Sequence, residues 1–322
     1  MRLLSKAGLS RRTAAAAVLA VVAAGLTTSA AADDTVSAVA PAAPAAATTS
    51  AVVTPYGTDP VGEPLYRVAA GQHLAPVVPG DRPYKAVVTV ETPTGDREYR
   101  MFVPAGLTTA AAPTLIAMGG YAETGEPERY MRWEQSATRH GFVVLYPRGL
   151  GLSYNAGRCC GVASRQGFDD DAFLLQMLQV QNDLHPEDAS RLYLTGFSNG
   201  GMMAYLFACK HPSIVAAIGV VAAAYMASPS CRPSSPVPVM HIHGKLDATV
   251  PYRGTRYSAM LRTSVPTVRQ TDLVFGHVDY WAGVPVHNVY LPHAGHAWPH
   301  LNGAGNYDAT GQLTLFLLHF RR

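Results

Sequence analysis

Residues 194–208 read LTGFSNGGMMAYLFA, and their reading decides the rest of the chain. Leading into them, Arg191–Thr195 (RLYLT) is β-favouring and mostly apolar; Met202–Cys209 is a run of helix formers with no breaker. Gly196, Gly200 and Gly201 surround and follow Ser198. A turn tight enough to join strand to helix here leaves no room for side chains beside the serine. That is the physical content of G-x-S-x-G, the turn that presents a nucleophilic serine above a sheet. A phosphate loop would carry Lys and Ser/Thr after its last glycine, where this chain has Met202 and Met203.

Working outward, Lys85–Glu91 and Arg97–Val103 alternate about Pro93-Thr94-Gly95-Asp96 and predict a β-hairpin. Apolar strands then alternate with helices. The strands are Pro113–Met118, Phe142–Tyr146, Arg191–Thr195, Val215–Val221, Val237–His243 and His287–Leu291. The helices are Glu126–His140, Asp169–Asp183, Asn199–His211, Arg253–Leu261, Asp272–Trp281 and Asn306–His319. Continuous Val/Ile/Leu strands between helices imply a mostly parallel sheet covered on both faces. With a hairpin at its start, the pattern fits the α/β-hydrolase plan.

A serine needs a base, and the base an orienting acid; in this fold they follow in the order Ser, Asp/Glu, His. Ligands meet such sheets at the carboxyl ends of the strands. Asp247 stands there, in the loop after VPVMHIHG, whereas Asp272 and Asp279 fall within an expected helix. The last strand is followed by LPHAGHAWPH, which offers His293, His296 and His300. His296 is the choice, because Gly295 lets the backbone bend toward the serine; His300 is the reserve. Two backbone N–H donors are needed for an oxyanion. Asn199 supplies one, and Tyr121, after Gly119-Gly120, the other. Trp298, Tyr121 and Tyr154 are expected to line an apolar substrate pocket, with Gly120 allowing close approach. His241 and His243 alternate on one strand and read as strand-end packing residues. No H-E-x-x-H or comparable ligand spacing occurs, so neither metal nor cofactor is expected.

Composition narrows the setting. Four of the 25 Lys+Arg (Arg2, Lys6, Arg11, Arg12) and none of the 22 Asp+Glu lie in residues 1–32. Without that segment the balance is 21 basic against 22 acidic, or −1, which leaves no electrostatic footprint for nucleic acid. The segment itself has a basic start, an apolar run over Ala14–Leu26 and small residues at Ser29–Ala32, as a secretory signal does. The run is shorter than the ~20 residues that span a bilayer, so the mature chain is expected to be extracellular and without an anchor. Residues 33–80 read as an Ala/Pro/Thr-rich, largely disordered linker, and 81–322 as the catalytic domain, acting as a monomer. In an exported chain Cys159, Cys160, Cys209 and Cys231 should be oxidised, and three pairings are open.

At this point the chain resembles the esterase/polyhydroxybutyrate depolymerase family, α/β-hydrolases that also include feruloyl esterases. The matching motifs are GFSNGGMMAY (196–205), HIHGKLDATVPY (241–252), GHAWP (295–299), YNAGRCCG (154–161) and FDDDAFL (168–174). The resemblance runs from about Tyr84 to the end of the sequence. It implies a Ser198–His296–Asp247 triad, an acyl-enzyme and no cofactor. The chain departs from the family pattern in Met118-Gly119-Gly120, which lacks the histidine of the common His-Gly pair, at Tyr154, where tryptophan is usual, and in lacking a cysteine near Trp281. With no polymer-binding module in the sequence, soluble esters are expected, either hydroxyalkanoate oligomers or feruloyl and acetyl esters of plant cell wall. The rival classes are a secreted acyltransferase and a non-catalytic binding protein.

Overall fold

Strands buried on both faces set the architecture of the computed structural model, which describes residues 52–322 except 70, 109, 124–126, 228–230 and 283–285. The expected signal segment 1–32 and the linker reading up to Ala51 lie outside the described residues. Strands β1 (Val52–Val53), β2 (Gly57–Thr58), β3 (Pro64–Val68) and β4 (His73–Leu74) precede β5 (Tyr84–Thr92) and β6 (Gly95–Val103). Then come β7 (Ala112–Met118), α1 (Pro127–Met131), α2 (Trp133–His140), β8 (Val143–Pro147), α3 (Gly161–Gln166) and α4 (Asp170–Leu184). The second half has β9 (Glu187–Phe197), α5 (Asn199–Lys210), β10 (Val215–Val221), β11 (Val239–Gly244), β12 (Thr255–Ser258) and β13 (Thr263–Val265). It closes with α6 (Val268–Ala282), β14 (Val286–Leu291) and α7 (Ala309–Leu318).

Ten strands form one sheet in the order β14-β11-β10-β9-β7-β8-β6-β5-β3-β2. From β14 to β8 every pairing is parallel, as the unbroken apolar runs require. β5 and β6 pair antiparallel from Tyr84↔Val103 to Thr92↔Gly95, and β6 joins β8 antiparallel. Side chains of β7 alternate between two cores. Ile116 and Met118 belong to the buried cluster that holds Phe173 of α4 and Met202 of α5; Leu115 and Ala117 belong to the one that holds Trp133 of α2 and Leu313 of α7. This is an α/β-hydrolase fold. The chain leaves β7 for β8 on one side, and β9 pairs on the other. That reversal opens a crevice at the carboxyl ends of β7 and β9.

Three expectations need correction. Residues 52–80 are not wholly linker: β3 pairs in parallel with β5, and its Tyr66 and Val68 are buried. Five residues carry too short an alternation to stand out beside a Pro/Ala-rich tract. Arg253–Leu261 is not a helix but the start of the β12–β13 antiparallel pair, entered through Gly254 at φ 71°. The single helix expected over Glu126–His140 is broken into α1 and α2 by Arg132 at φ 57°, a left-handed conformation no helix interior accepts. Among the described residues no helix is long and apolar enough to cross a membrane.

Candidate active site

Ser198 sits between β9 and α5 at φ 51°, ψ −117°, a conformation few non-glycine residues adopt. Its neighbours explain the glycines. A Cβ on Gly196 would overlap the backbone of Gly200, and one on Gly200 would strike the carbonyls of Met118 and Gly119. The first turn of α5 is thereby pressed against the end of β7. The Ser198 N–H is tied to the Val221 carbonyl at 2.9 Å, fixing the turn to β10.

The structure brings the three residues chosen from the sequence together. His296 Nε2 lies 3.0 Å from Ser198 Oγ, and its Nδ1 lies 2.8 Å from Asp247 Oδ2. A carboxylate only accepts, so Nδ1 carries hydrogen and Nε2 is left to accept from the serine hydroxyl. The loops bearing the two partners are stitched by backbone bonds, Lys245 N–H to Leu291 O at 2.9 Å and Leu246 N–H to Ala294 O at 3.0 Å. Asp247 Oδ1 accepts the N–H groups of Thr249 and Val250 at 2.9 and 2.8 Å. Burial would raise the Asp247 carboxyl, but His243 and His296 outweigh it and bring its pKa down to about 2.

Behind Asp247 runs a buried chain that the reading of His241 and His243 as packing residues did not foresee. His243 Nε2 is 2.7 Å from the Val250 carbonyl and 3.4 Å from Asp247 Oδ2. A carbonyl accepts, so this nitrogen is the donor, and Nδ1 is the partner of His241 Nε2 at 3.0 Å. His241 Nδ1 in turn accepts from the Tyr205 hydroxyl at 3.0 Å. Burial, reinforced by His243, holds His241 well below the ordinary imidazole range and keeps it neutral. The donors run in one direction, from Tyr205 to the Val250 carbonyl beside Asp247. At its far end Asp272 lies 3.9 Å from His241, its carboxyl raised to about 6 by burial. Two histidines at alternate positions on one strand were the only sequence signal of this chain.

On the other side of the serine, the Asn199 side chain clamps Tyr154, accepting its N–H at 2.7 Å and donating to its carbonyl at 3.0 Å. The Asn199 N–H, at the first turn of α5, has no intrahelical acceptor. Gly120 N–H is occupied by Glu123 Oε2 at 2.8 Å, which also accepts the Tyr130 hydroxyl at 2.7 Å. Tyr121 is the next amide along, with its ring against Gly161. Gly120 and Tyr154 line a small cavity of about 140 Å³ with Leu152 and Glu123. The Tyr154 hydroxyl is turned inward to the Pro147 carbonyl at 2.6 Å. Trp298 does not line that cavity. It is 4% exposed, donates to Thr310 Oγ1 at 3.0 Å and packs edge-on against Trp133 and Tyr130. His293 is exposed, and His300 is engaged with the Ala304–Gly305 turn rather than with Ser198.

The cysteines pair as Cys159–Cys160 and Cys209–Cys231. The first pair sits in the loop that Asn199 clamps, and the second ties α5 to the segment after β10.

Residues 97–250 match the family described as Esterase PHB depolymerase, in keeping with the motifs. Over 158 residues the chain is 28% identical to a bifunctional acetylxylan esterase/xylanase of Neocallimastix patriciarum, covering 49% of this chain and 22% of that protein. It is 28% identical over 136 residues to a poly(3-hydroxyalkanoate) depolymerase C of Paucimonas lemoignei, covering 41% and 32%. The chain thus spans under half the length of these relatives. Among solved structures, a thermostable esterase superposes with a TM-score of 0.53 at 16% identity, over 74% of this chain and 63% of that one, a likeness of fold.

Proposed function

From the premise that the chain belongs, through residues 97–250, to the esterase/polyhydroxybutyrate depolymerase family, we propose that it is a secreted serine carboxylic-ester hydrolase. One observation carries the reading: a serine at positive φ, 3.0 Å from an imidazole whose other nitrogen is 2.8 Å from a buried aspartate. Ser198 Oγ attacks the ester carbonyl while His296 Nε2 takes its proton, and Asp247 stabilises the imidazolium without itself being protonated. The N–H groups of Tyr121 and Asn199 stabilise the oxyanion. His296 returns the proton to the departing alcohol, then activates a water that cleaves the acyl-enzyme and regenerates Ser198. The substrates are hydroxyalkanoate oligomers or similar esters. Acetyl esters of cell-wall polysaccharide are the second reading, favoured by the acetylxylan esterase/xylanase among the relatives. The basic, apolar leader and the two disulfides support export.

The test is hydrolysis of p-nitrophenyl butyrate by Ser198→Ala. Loss of about a thousandfold or more is expected; near-full activity would discard the mechanism. Product analysis with an added sugar acceptor separates hydrolase from acyltransferase.

A further inference from the structure

Beyond the Ser198 site, a groove of about 910 Å³ opens at the same edge of the sheet. Its walls come from the loop after β8, the segment after β10, and the connection from β11 into the β12–β13 pair. Arg158, Arg232, Arg253 and Arg256 line it, and no Asp or Glu does. Among the described residues, none of the four guanidiniums has a carboxylate within ion-pair distance. Arg158 Nη1 reaches the hydroxyl of Ser264 at 3.3 Å, and Arg253 Nε the phenol of Tyr252 at 2.8 Å. By contrast, Arg67, Arg97, Arg148 and Arg191 each face a carboxylate.

Four unpaired cations around one concavity repel each other and focus a positive potential inside it. An anion relieves that cost. The guanidinium fork fits a carboxylate with two parallel hydrogen bonds, where an ammonium would offer a point charge. The groove is also tied to the reacting centre. Arg253 follows Asp247 by six residues and Arg158 follows Tyr154 by four, so chain length alone keeps them within about 21 and 14 Å of those residues. Ser258 Oγ donates to the Thr249 carbonyl at 3.3 Å, and the Val268 N–H to the Tyr252 carbonyl at 3.0 Å, which holds the arginine-bearing loop against the Asp247 turn.

We propose that this groove binds the carboxylate of an oligomeric ester and seats it while an ester bond lies at Ser198. The seating of an ester rests on the reading of Ser198 as nucleophile; the binding of the carboxylate does not. Two sources carry that chemistry, the free acid end of a hydroxyacid oligomer and a uronic acid on an acetylated oligosaccharide.

Calorimetry on Ser198→Ala protein, with the 3-hydroxybutyrate trimer as free acid and as methyl ester, tests the binding. The acid should bind about tenfold more tightly, the sum of a few exposed charge contacts. The difference should vanish in 0.5 M NaCl, taken as a strongly screening salt, and in an Arg253→Gln/Arg256→Gln variant. Salt on the parent protein keeps the test independent of how that variant folds. A parallel pair, acetylated xylo-oligosaccharide with and without a uronic acid branch, assigns the source; preference in either pair supports the groove. Equal binding within both pairs overturns it. Acid preference in binding without any ester turnover by the unmodified protein overturns the esterase reading alone.

Discussion

Two buried polar networks flank Ser198, and they are built to opposite ends. On one flank Arg97 of β6 is paired with Asp170 of α4, both side chains fully buried. Asp170 Oδ2 accepts the Asn155 N–H at 2.6 Å, Arg97 lies 4.1 Å from the centre of the Phe173 ring, and Asn155 adjoins the Tyr154 that Asn199 clamps. On the other flank the Tyr205–His241–His243 chain ends on Asp247 and, through His296, on Ser198. The first network sets a guanidinium against a carboxyl that burial raises and Arg97 pulls back down, away from the serine and its imidazole, so it can only position. The second passes its hydrogen bonds one way, from Tyr205 through His241 to His243 and the Val250 carbonyl, and brings His243 within 3.4 Å of the carboxylate that holds His296. Breaking the first should cost stability, and breaking the second should cost turnover.

The sharpest break is Ser198→Ala. Turnover of p-nitrophenyl butyrate should fall a thousandfold or more, while chemical denaturation should register about 1 kcal/mol or less, the worth of one hydrogen bond. A large loss of stability would merge the two networks into one. Asp170→Ala should do the reverse. It strands the buried Arg97 charge and should lower unfolding free energy by about 3–5 kcal/mol. The Arg97→Met/Asp170→Leu double variant should recover most of that, and a failure to recover would make the charge pair more than a spacer. Next comes His243→Leu, which removes the donor to the Val250 carbonyl and the imidazole 3.4 Å from Asp247. A drop in kcat of about tenfold, the worth of one bond to a charged group, is expected, with His243→Gln restoring most of it. Equal activity in all three proteins would reduce the chain to packing.

The smallest effect tests a group outside both networks. Glu187 begins β9, its Oε2 has no partner, and burial pushes its carboxyl up to about 7. An acid whose folded pKa lies above its unfolded 4.5 binds more protons folded than unfolded between those values. Its contribution to stability therefore falls as pH rises from 4.5 toward 7 and stays low above. Glu187→Gln should leave the melting temperature at pH 4 nearly unchanged and raise it at pH 8. No difference between the two pH values would refute the shift.

What the sequence disclosed divides along similar lines. Ser198, Asp247 and His296 were legible because local backbone demands leave local marks: glycines where atoms would collide, and strand ends followed by loop-forming residues. The parallel sheet was legible from doubly buried strands. Arg97–Asp170 was not, because its members are 73 residues apart and Arg97 occupies an alternating strand that reads as half-solvated. Trp298 misled for the opposite reason: proximity in sequence to His296 suggested a pocket wall, but the chain turns between them and sends the indole into the core. The four-arginine groove assembles from segments nearly a hundred residues apart, with no spacing to announce it.

The border of the sheet farthest from β14 has a consequence for life at high concentration. A central-type strand such as β5, left open, would present a long row of free backbone donors and acceptors to any other chain. Instead β3 covers it, and β3 is covered only by the two residues of β2. So short a rim offers an incoming strand almost nothing to zip onto. Proteolytic clipping between Thr58 and Pro64 would strip that rim away, and the clipped form would be the one to aggregate.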